Sequence, residues 1–303
     1  MLDCMIIGAG PAGLTAAIYL ARFRRNICIF EGGASRASLI PTTHNFPGFP
    51  NGVSGQVLLQ RLLEQAALYG VVATNAHVET LTLEDGNFIA RSGSRLWQAR
   101  TVILATGVED IQPDFPGLEK GTLAGLIRWC PICDGYEAMD KAIGIIAASA
   151  SGVEHALFLR TYSERVSLLA SRGEPGLGPA DRESLETAAV ERVDPDVVSI
   201  RPSTEENCVY VGLADGSTRR FDVLYVMHGT RAQSRLAIEM GAACTDDGEL
   251  LVDQAQRTSL PGLYAVGDVV RAVNQISVGI GHGAIAAIRI HNELPPNPRS
   301  RVD

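Results

Sequence analysis

The sequence predicts an α/β protein built from two Rossmann-like (three-layer ββα) nucleotide-binding units. Two observations carry this. Residues 2–31 read as strand, glycine turn, helix and strand, and residues 141–172 repeat that rhythm later in the chain. A length of 303 residues, 46% of them hydrophobic, suits about two domains. The formal charge of −8 argues against nucleic acid or an anionic membrane as partner. No apolar run has transmembrane length, and residues 4–7 already read as a buried strand rather than a secretory leader. The expected location is the cytoplasm.

In the first unit an apolar strand at residues 2–7 runs directly into Gly8-Ala9-Gly10-Pro11-Ala12-Gly13. A helix over residues 14–23 follows, with Leu14, Ala17, Ile18 and Ala21 on one face, and a strand over 27–30 ends at Glu31. Gly8 permits the tight turn, Gly10 admits a pyrophosphate to the backbone, and Gly13 lets the helix pack on the strand. The helix N-terminus faces the phosphates. Glu31, 18 residues beyond Gly13, suits the ribose hydroxyls of an adenosine.

Two later segments favour FAD over a nicotinamide cofactor. Residues 100–107 form a strand ending in Ala105-Thr106-Gly107, which can approach the same dinucleotide from the other side. Residues 260–270 form another strand, whose Gly267-Asp268 would set a carboxylate on the ribityl chain. Asn274, Gln275 and Ile276 then open a small, apolar, helix-like segment reaching residue 290. Its first amides suit the flavin O2 region and the charge of a reduced flavin.

The remaining elements are structural. A Pro/Gly-rich turn at residues 45–50 precedes an amphipathic helix over 56–69. Residues 71–97 and 209–225 read as antiparallel excursions turning at Asp85-Gly86 and Asp215-Gly216. Trp97 is expected to pack in a core, and Arg22, Arg24 and Arg25 to form a solvated helix end.

The chemistry centres on residues 128–137, RWCPICDGYE. Six cysteines are too few for a secreted disulfide scaffold, and Cys4, Cys28, Cys208 and Cys244 each read as isolated small fillers. Cys130 and Cys133 share a Cys-x-x-Cys motif, which could be a redox pair, a zinc clip or an inert structural pair. Zinc requires about four ligands, yet there is no second such pair and the six histidines are dispersed, so no metal is expected. The motif can stabilise a thiolate. Asp134, next in the chain, is placed for general acid–base work, with helix capping as its alternative role. Trp129 and Tyr136 flank the pair and could pack, shield it or meet a partner.

With these pieces in order, the chain resembles the low-molecular-weight thioredoxin reductase family of flavoproteins over nearly its whole length. The likeness rests on Gly8-x-Gly10-x-x-Gly13, His44-Asn-Phe-Pro-Gly-Phe-Pro50 leading into Gly52-Val-Ser-Gly55, Ala105-Thr-Gly107, Cys130-x-x-Cys133-Asp134-Gly135 and Gly267-Asp268. The resemblance implies that the second unit is inserted into the first. An FAD-binding domain of residues 1–115 and 246–303 would enclose a pyridine-nucleotide-like domain of residues 116–245 carrying the cysteines, with crossovers at 113–121 and 241–248. It adds Pro11, Ala12, Gly32, Asn45 and Val78 to the FAD site. It makes Cys133 the cysteine nearer the flavin and Cys130 its disulfide partner. It also implies a homodimer and, as substrate, thioredoxin or a related disulfide protein.

The inserted domain departs from the family's pattern. Its glycine fingerprint positions hold Ala147, Ser149 and Gly152, and the His-Arg-Arg cluster that grips an NADPH 2′-phosphate is replaced by Ala170-Ser171-Arg172. Side chains at the first two positions obstruct the turn and the approach of a pyrophosphate. The expectation is a degenerate NADPH site. Branches of the family without NADPH take electrons from reduced ferredoxin, and one carries a second FAD in the inserted domain. The wording of residues 128–137 and 274–278 is similar to those branches. The competing expectations are an NADPH-dependent reductase with a relaxed site, a small-molecule dithiol oxidase, and a non-catalytic flavin redox sensor. Such oxidases often carry histidine where Asp134 stands.

Overall fold

The computed structural model of the chain describes residues 1–33, 35–147, 151–171 and 176–298. It divides into two compact units, one of Met1–Ser38, Ser54–Glu109 and Arg231–Asp303, the other of Leu39–Val53 and Asp110–Thr230.

In chain order the first segment holds β1 (Leu2–Ile7), α1 (Pro11–Arg22), β2 (Ile27–Glu31), α2 (Gly55–Ala67), β3 (Ala73–Asn75), β4 (Thr80–Glu84), β5 (Asn87–Ser92), β6 (Arg95–Leu104) and β7 (Val108–Asp110). Next come α3 (Leu118–Leu123), β8 (Ile127–Arg128), α4 (Pro131–Asp134), β9 (Ile143–Ala147), α5 (Ser151–Leu159), β10 (Val166–Leu169), α6 (Pro179–Thr187) and β11 (Glu191–Val193). The chain continues through β12 (Val197–Ser203), β13 (Cys208–Leu213), β14 (Thr218–Phe221), β15 (Val223–Met227), β16 (Thr230–Ala232), α7 (Arg235–Glu239), β17 (Leu263–Ala265) and α8 (Ile276–Glu293).

The sheet of the first unit has the order β3-β2-β1-β6-β5-β4, with β17 also on β6. Strands β1, β2, β3 and β17 are parallel to their neighbours, whereas β4, β5 and the start of β6 form the antiparallel excursion. Asp85 and Gly86 both take positive φ, 49° and 75°, the backbone a tight hairpin needs. The excursion begins at Thr80 rather than at residue 71, because Ala73–Asn75 pairs parallel with β2. Trp97 lies within β6 and packs edge-on against Phe30, ring centroids 4.8 Å apart, as expected of a core residue.

Alternation along β1 divides the core between the faces of the sheet. Met5 and Ile7 pack with Phe30, Phe88 and Leu104 on one side. Cys4 and Ile6 pack on the other with Ile29, Leu14 and Leu20 of the first helix and Ala286, Ala287 and Ile290 of the last. Each fully buried Ile or Leu contributes roughly 1.5–3 kcal/mol. α1 starts at Pro11, earlier than its apolar stripe suggests, because proline is preorganised for the first helical position. The strand expected over residues 260–270 is only Leu263–Ala265, and a 3₁₀ turn at Gly267–Val269 replaces its end.

Arg25 overturns one expectation. It is 6% exposed, not solvated, and donates to His291 Nδ1, His291 O and Pro295 O at 3.0, 2.8 and 2.9 Å. Those acceptors lie more than 260 residues away in sequence, so local composition gives no hint of them.

The second unit contains a fully parallel sheet, order β11-β10-β9-β15-β8, and an antiparallel one, order β12-β13-β14. Tyr225 belongs to the parallel sheet and not to the antiparallel excursion expected to reach it. The unit boundaries fall at residues 109/110 and 230/231 rather than 115/116 and 245/246. There β7 and β16 pair with each other. Leu39–Val53 groups with the second unit, although it precedes most of the first in sequence. Among the described residues no helix is long and apolar enough to cross a membrane.

Helices α1 and α8 meet through backbone. A Cβ on Gly283 would stand 2.3 Å from Ala12 O. Gly283→Ala is therefore expected to destabilise the protein by about 1–3 kcal/mol through overpacking. Urea unfolding measures it, and an unchanged midpoint would show that the helices separate freely.

Candidate active site

The glycine turn is built by contact at the ends of two adjacent strands. β1 passes into Gly8, whose φ of +113° is one that side chains rarely adopt. A Cβ there would lie 2.2 Å from Ala105 O, the residue that follows β6. A Cβ on Gly13 would lie 2.0 Å from Gly8 O. Gly267 and Gly279 close the other side, a Gly267 Cβ coming within 3.0 Å of Ala12 Cβ. Gly8, Gly13, Ala105, Gly267 and Ala12 are thus brought together at the carboxyl ends of parallel strands, where such folds bind dinucleotides.

These residues fit FAD. α1 begins at Gly10 and Pro11 with no side-chain cap and no acid in its first turn, which leaves its amides to an anion. A Cβ at Gly107 would meet nothing within 4 Å, so its backbone faces open space, whereas one at Gly10 would press on Ser35 Oγ at 3.3 Å. Asn274 Oδ1 is buried with no hydrogen-bond partner, as an atom awaiting a ligand donor would be. Glu31 ends β2 with its side chain exposed. Gln275 is the N-cap of α8 and Ile276 its first residue.

Other expected members have different roles. Val78 is buried in the hydrophobic core at 4% exposure, so only its backbone can face a cofactor. Thr106 Oγ1 donates to Gln233 O at 2.6 Å. Asn45 lies in the segment grouped with the second unit, where its Oδ1 accepts from Thr43 Oγ1 at 2.8 Å. Gly32 packs against His77, and Asp268 stands 3.5 Å from Arg36 Nη1. Neither His77 nor Arg36 carries a motif that sequence reading could use.

In the second unit Cys130 and Cys133 are joined as a disulfide. The remaining four cysteines are free, Cys4 and Cys208 buried, Cys28 and Cys244 half-buried. The disulfide follows β8 at once and spans the first turn of α4, which Pro131 opens. A Cβ on Gly135 would clash with Pro131 O at 2.6 Å and with the Tyr162 ring at 2.7 Å, so glycine is needed after Asp134. Trp129 donates from Nε1 to Thr122 Oγ1 at 2.9 Å and packs against the core, while Tyr136 is 69% exposed.

Asp134 does not cap a helix. It closes α4, and its Oδ1 accepts from Tyr225 Oη at 2.8 Å. Arg128 Nη1 donates to Asp134 O at 2.6 Å, and Arg128 Nε lies 3.8 Å from Oδ2. Arg128 and Tyr225 are register partners on neighbouring parallel strands, which sets both beside α4. Burial pushes the Asp134 carboxyl above its usual range, against the pull of Arg128 and the Tyr225 hydrogen bond. A carboxyl whose proton affinity is raised, next in the chain to a disulfide cysteine, suits a general acid.

The positions compared with the first unit's glycine fingerprint can be described in part. Ala147 ends β9 as a strand residue paired with Met227, where Gly8 turns sharply. Its methyl lies against Gly152, where a Cβ would come within 2.8 Å. Ala170 is buried, its N bonded to Val193 O and its O to Val197 N. Ser149 and Arg172 lie outside the described residues.

Comparison with known proteins places the chain in a family. The family model described as "Pyridine nucleotide-disulphide oxidoreductase" matches residues 2–283. A thioredoxin reductase of Mycolicibacterium smegmatis is 31% identical over 94% of this chain and 94% of its own. One of Listeria monocytogenes is 29% identical over 94% of this chain and 91% of its own. The crystal structure of thioredoxin reductase from Streptococcus pyogenes superposes with a TM-score of 0.88 at 26% identity, covering 96% of this chain and 97% of that one.

The raised carboxyl has a consequence for stability. The folded state binds the Asp134 proton more tightly than the unfolded chain, so this contribution is full below the unfolded pKa and is lost as pH rises through the folded value. Asp134→Asn is expected to remove that loss and flatten melting temperature against pH in the acid-to-neutral range. Equal slopes for both proteins would count against it.

Proposed function

We propose, for a chain that belongs to the pyridine nucleotide-disulphide oxidoreductases in their thioredoxin reductase-like branch, that it passes electrons between FAD and the Cys130–Cys133 disulfide and draws them from a donor other than NADPH. The enzyme is a thioredoxin reductase-like flavin disulfide oxidoreductase. Gly8, Gly10, Gly13, Ala105, Gly107, Gly267, Asn274 and the start of α8 would hold FAD, which supplies two-electron transfer when bound.

The observation that carries the donor reading is Ala147. In the first unit the strand turns at a glycine with φ +113°, which opens the backbone to a phosphate. At the matching place in the second unit an alanine continues the strand and fills the space before Gly152. The buried, backbone-paired Ala170 supports the same reading, since it offers no charge to a 2′-phosphate. A reduced ferredoxin-type protein, or a second FAD, is the donor class we favour.

On the acceptor side the half-buried disulfide and its neighbouring acid suit a protein disulfide such as thioredoxin. Two sulfurs accept two electrons and two protons, one proton from Asp134 and one from solvent. Asp134 favours this direction over oxidation of a small dithiol, because burial raises its carboxyl's affinity for a proton and a general acid assists a leaving sulfur.

Anaerobic addition of excess NADPH to the flavin-loaded protein is expected to leave the flavin absorption band unbleached, and flavin-to-protein stoichiometry divides the remaining donors. One flavin per chain points to a protein donor, and two to an internal second flavin. Bleaching within seconds would sink the donor reading. Cys133→Ser is expected to abolish turnover with disulfides, and unchanged kinetics would leave only a flavin sensor.

A further inference from the structure

We propose that Tyr225 is the positioning residue for proton exchange at Asp134, because its hydroxyl is placed to stay hydrogen-bonded in both protonation states of that carboxyl. The inference rests on the redox reading of the disulfide and adds to it a residue 91 positions along the chain.

Tyr225 is fully buried in β15, its ring among Ile143, Ile145, Ala138 and Val223. A buried phenol needs a partner for its hydrogen and tolerates no loss of that partner. Its Oη lies 2.8 Å from Asp134 Oδ1 and 3.2 Å from Asp134 O. One hydroxyl hydrogen cannot serve both acceptors at once. Arg128 Nη1, 2.6 Å from Asp134 O and 3.3 Å from Tyr225 Oη, decides between them.

When the carboxyl is ionised, the phenol donates to Oδ1, and the Asp134 carbonyl is satisfied by Arg128. When the carboxyl is protonated, its O–H donates to the phenol oxygen across the same 2.8 Å. The phenol hydrogen then turns to the Asp134 carbonyl at 3.2 Å. Each state keeps these buried groups paired, so the proton moves without stranding one. Tyr225 does not ionise itself, since burial and the Asp134 charge hold its proton tightly. Arg128 and Lys141 favour the carboxylate, and Glu137 opposes it.

The step can be followed without flavin by using dithiothreitol as the external dithiol. One of its thiolates attacks a sulfur of the Cys130–Cys133 bridge, the S–S bond breaks, and the leaving sulfur takes the proton from Asp134. The second thiolate attacks the mixed disulfide. Dithiothreitol leaves as its cyclic disulfide, oxidised by two electrons, and the released cysteine takes a proton from solvent. Asp134 is then reprotonated from solvent.

The test is the rate of this reduction, read by thiol titration of the full chain across pH. Asp134→Asn is expected to abolish the descending limb of the profile. Tyr225→Phe removes the donor to the ionised carboxyl and is expected to move that limb up by about one unit. That is a roughly tenfold change in acid dissociation, the size of losing one hydrogen bond to a charged group. A site-specific 3-fluorotyrosine at position 225 keeps the ring and the hydroxyl and makes a stronger donor. It is expected to move the limb down, and it keeps the test open if Tyr225→Phe fails to fold. A limb that stays in place with the fluorinated residue, or in folded Tyr225→Phe, while Asp134→Asn abolishes it, overturns the role of Tyr225 alone. A limb unmoved by Asp134→Asn overturns the acid–base reading, and the proposal with it.

Discussion

Contact between bare backbones is the constraint on which the first unit depends. The end of β1 touches the residue after β6 at a distance that excludes any side chain on Gly8, and α1 meets α8 at Gly283 on the same terms. These approaches set the helix N-terminus at the strand ends, where main-chain amides would face the phosphates of a dinucleotide. Affinity for a dinucleotide would then come largely from shape and backbone dipoles.

The second unit solves a different problem with similar strands. Its sheet positions a disulfide turn, and it does so through Arg128 and Tyr225, neighbours in register that both reach the carbonyl ending α4. The turn is tied at its acid end to the edge strand β8 and its neighbour β15, while Ile132 between the cysteines stays 60% exposed. Rigidity at the proton and access at the sulfur are the two things disulfide exchange requires.

Much of this was legible in the sequence, for reasons that can be named. Gly8 as a tight turn and Gly13 as a close helix–strand contact were legible because a Cβ on either would collide with backbone. Asp85-Gly86 read correctly as a hairpin because both residues need positive φ. The Cys-x-x-Cys pair was visible by spacing alone. What escaped was set by long-range pairing. Tyr225 sits in an apolar run whose phenol gives no clue to a partner 91 residues earlier. Arg25 looked like a surface charge until the end of the chain supplied its acceptors. Ile7 read as part of a buried strand without difficulty, because its neighbours are apolar, whereas Val78 drew a cofactor role that its buried side chain does not support.

The order in which these pieces lie along the chain also governs how the molecule is made. The first unit needs residues near both ends, since β1 and α1 are written first and β17 and α8 last. The helix that seats on Ala12 leaves the ribosome more than 250 residues after Ala12 itself. During synthesis the second unit can close while the first still lacks its final helix, and the glycine turn waits with its apolar neighbours uncovered. The unit that carries the glycine turn is thus the one whose core is completed last along the chain.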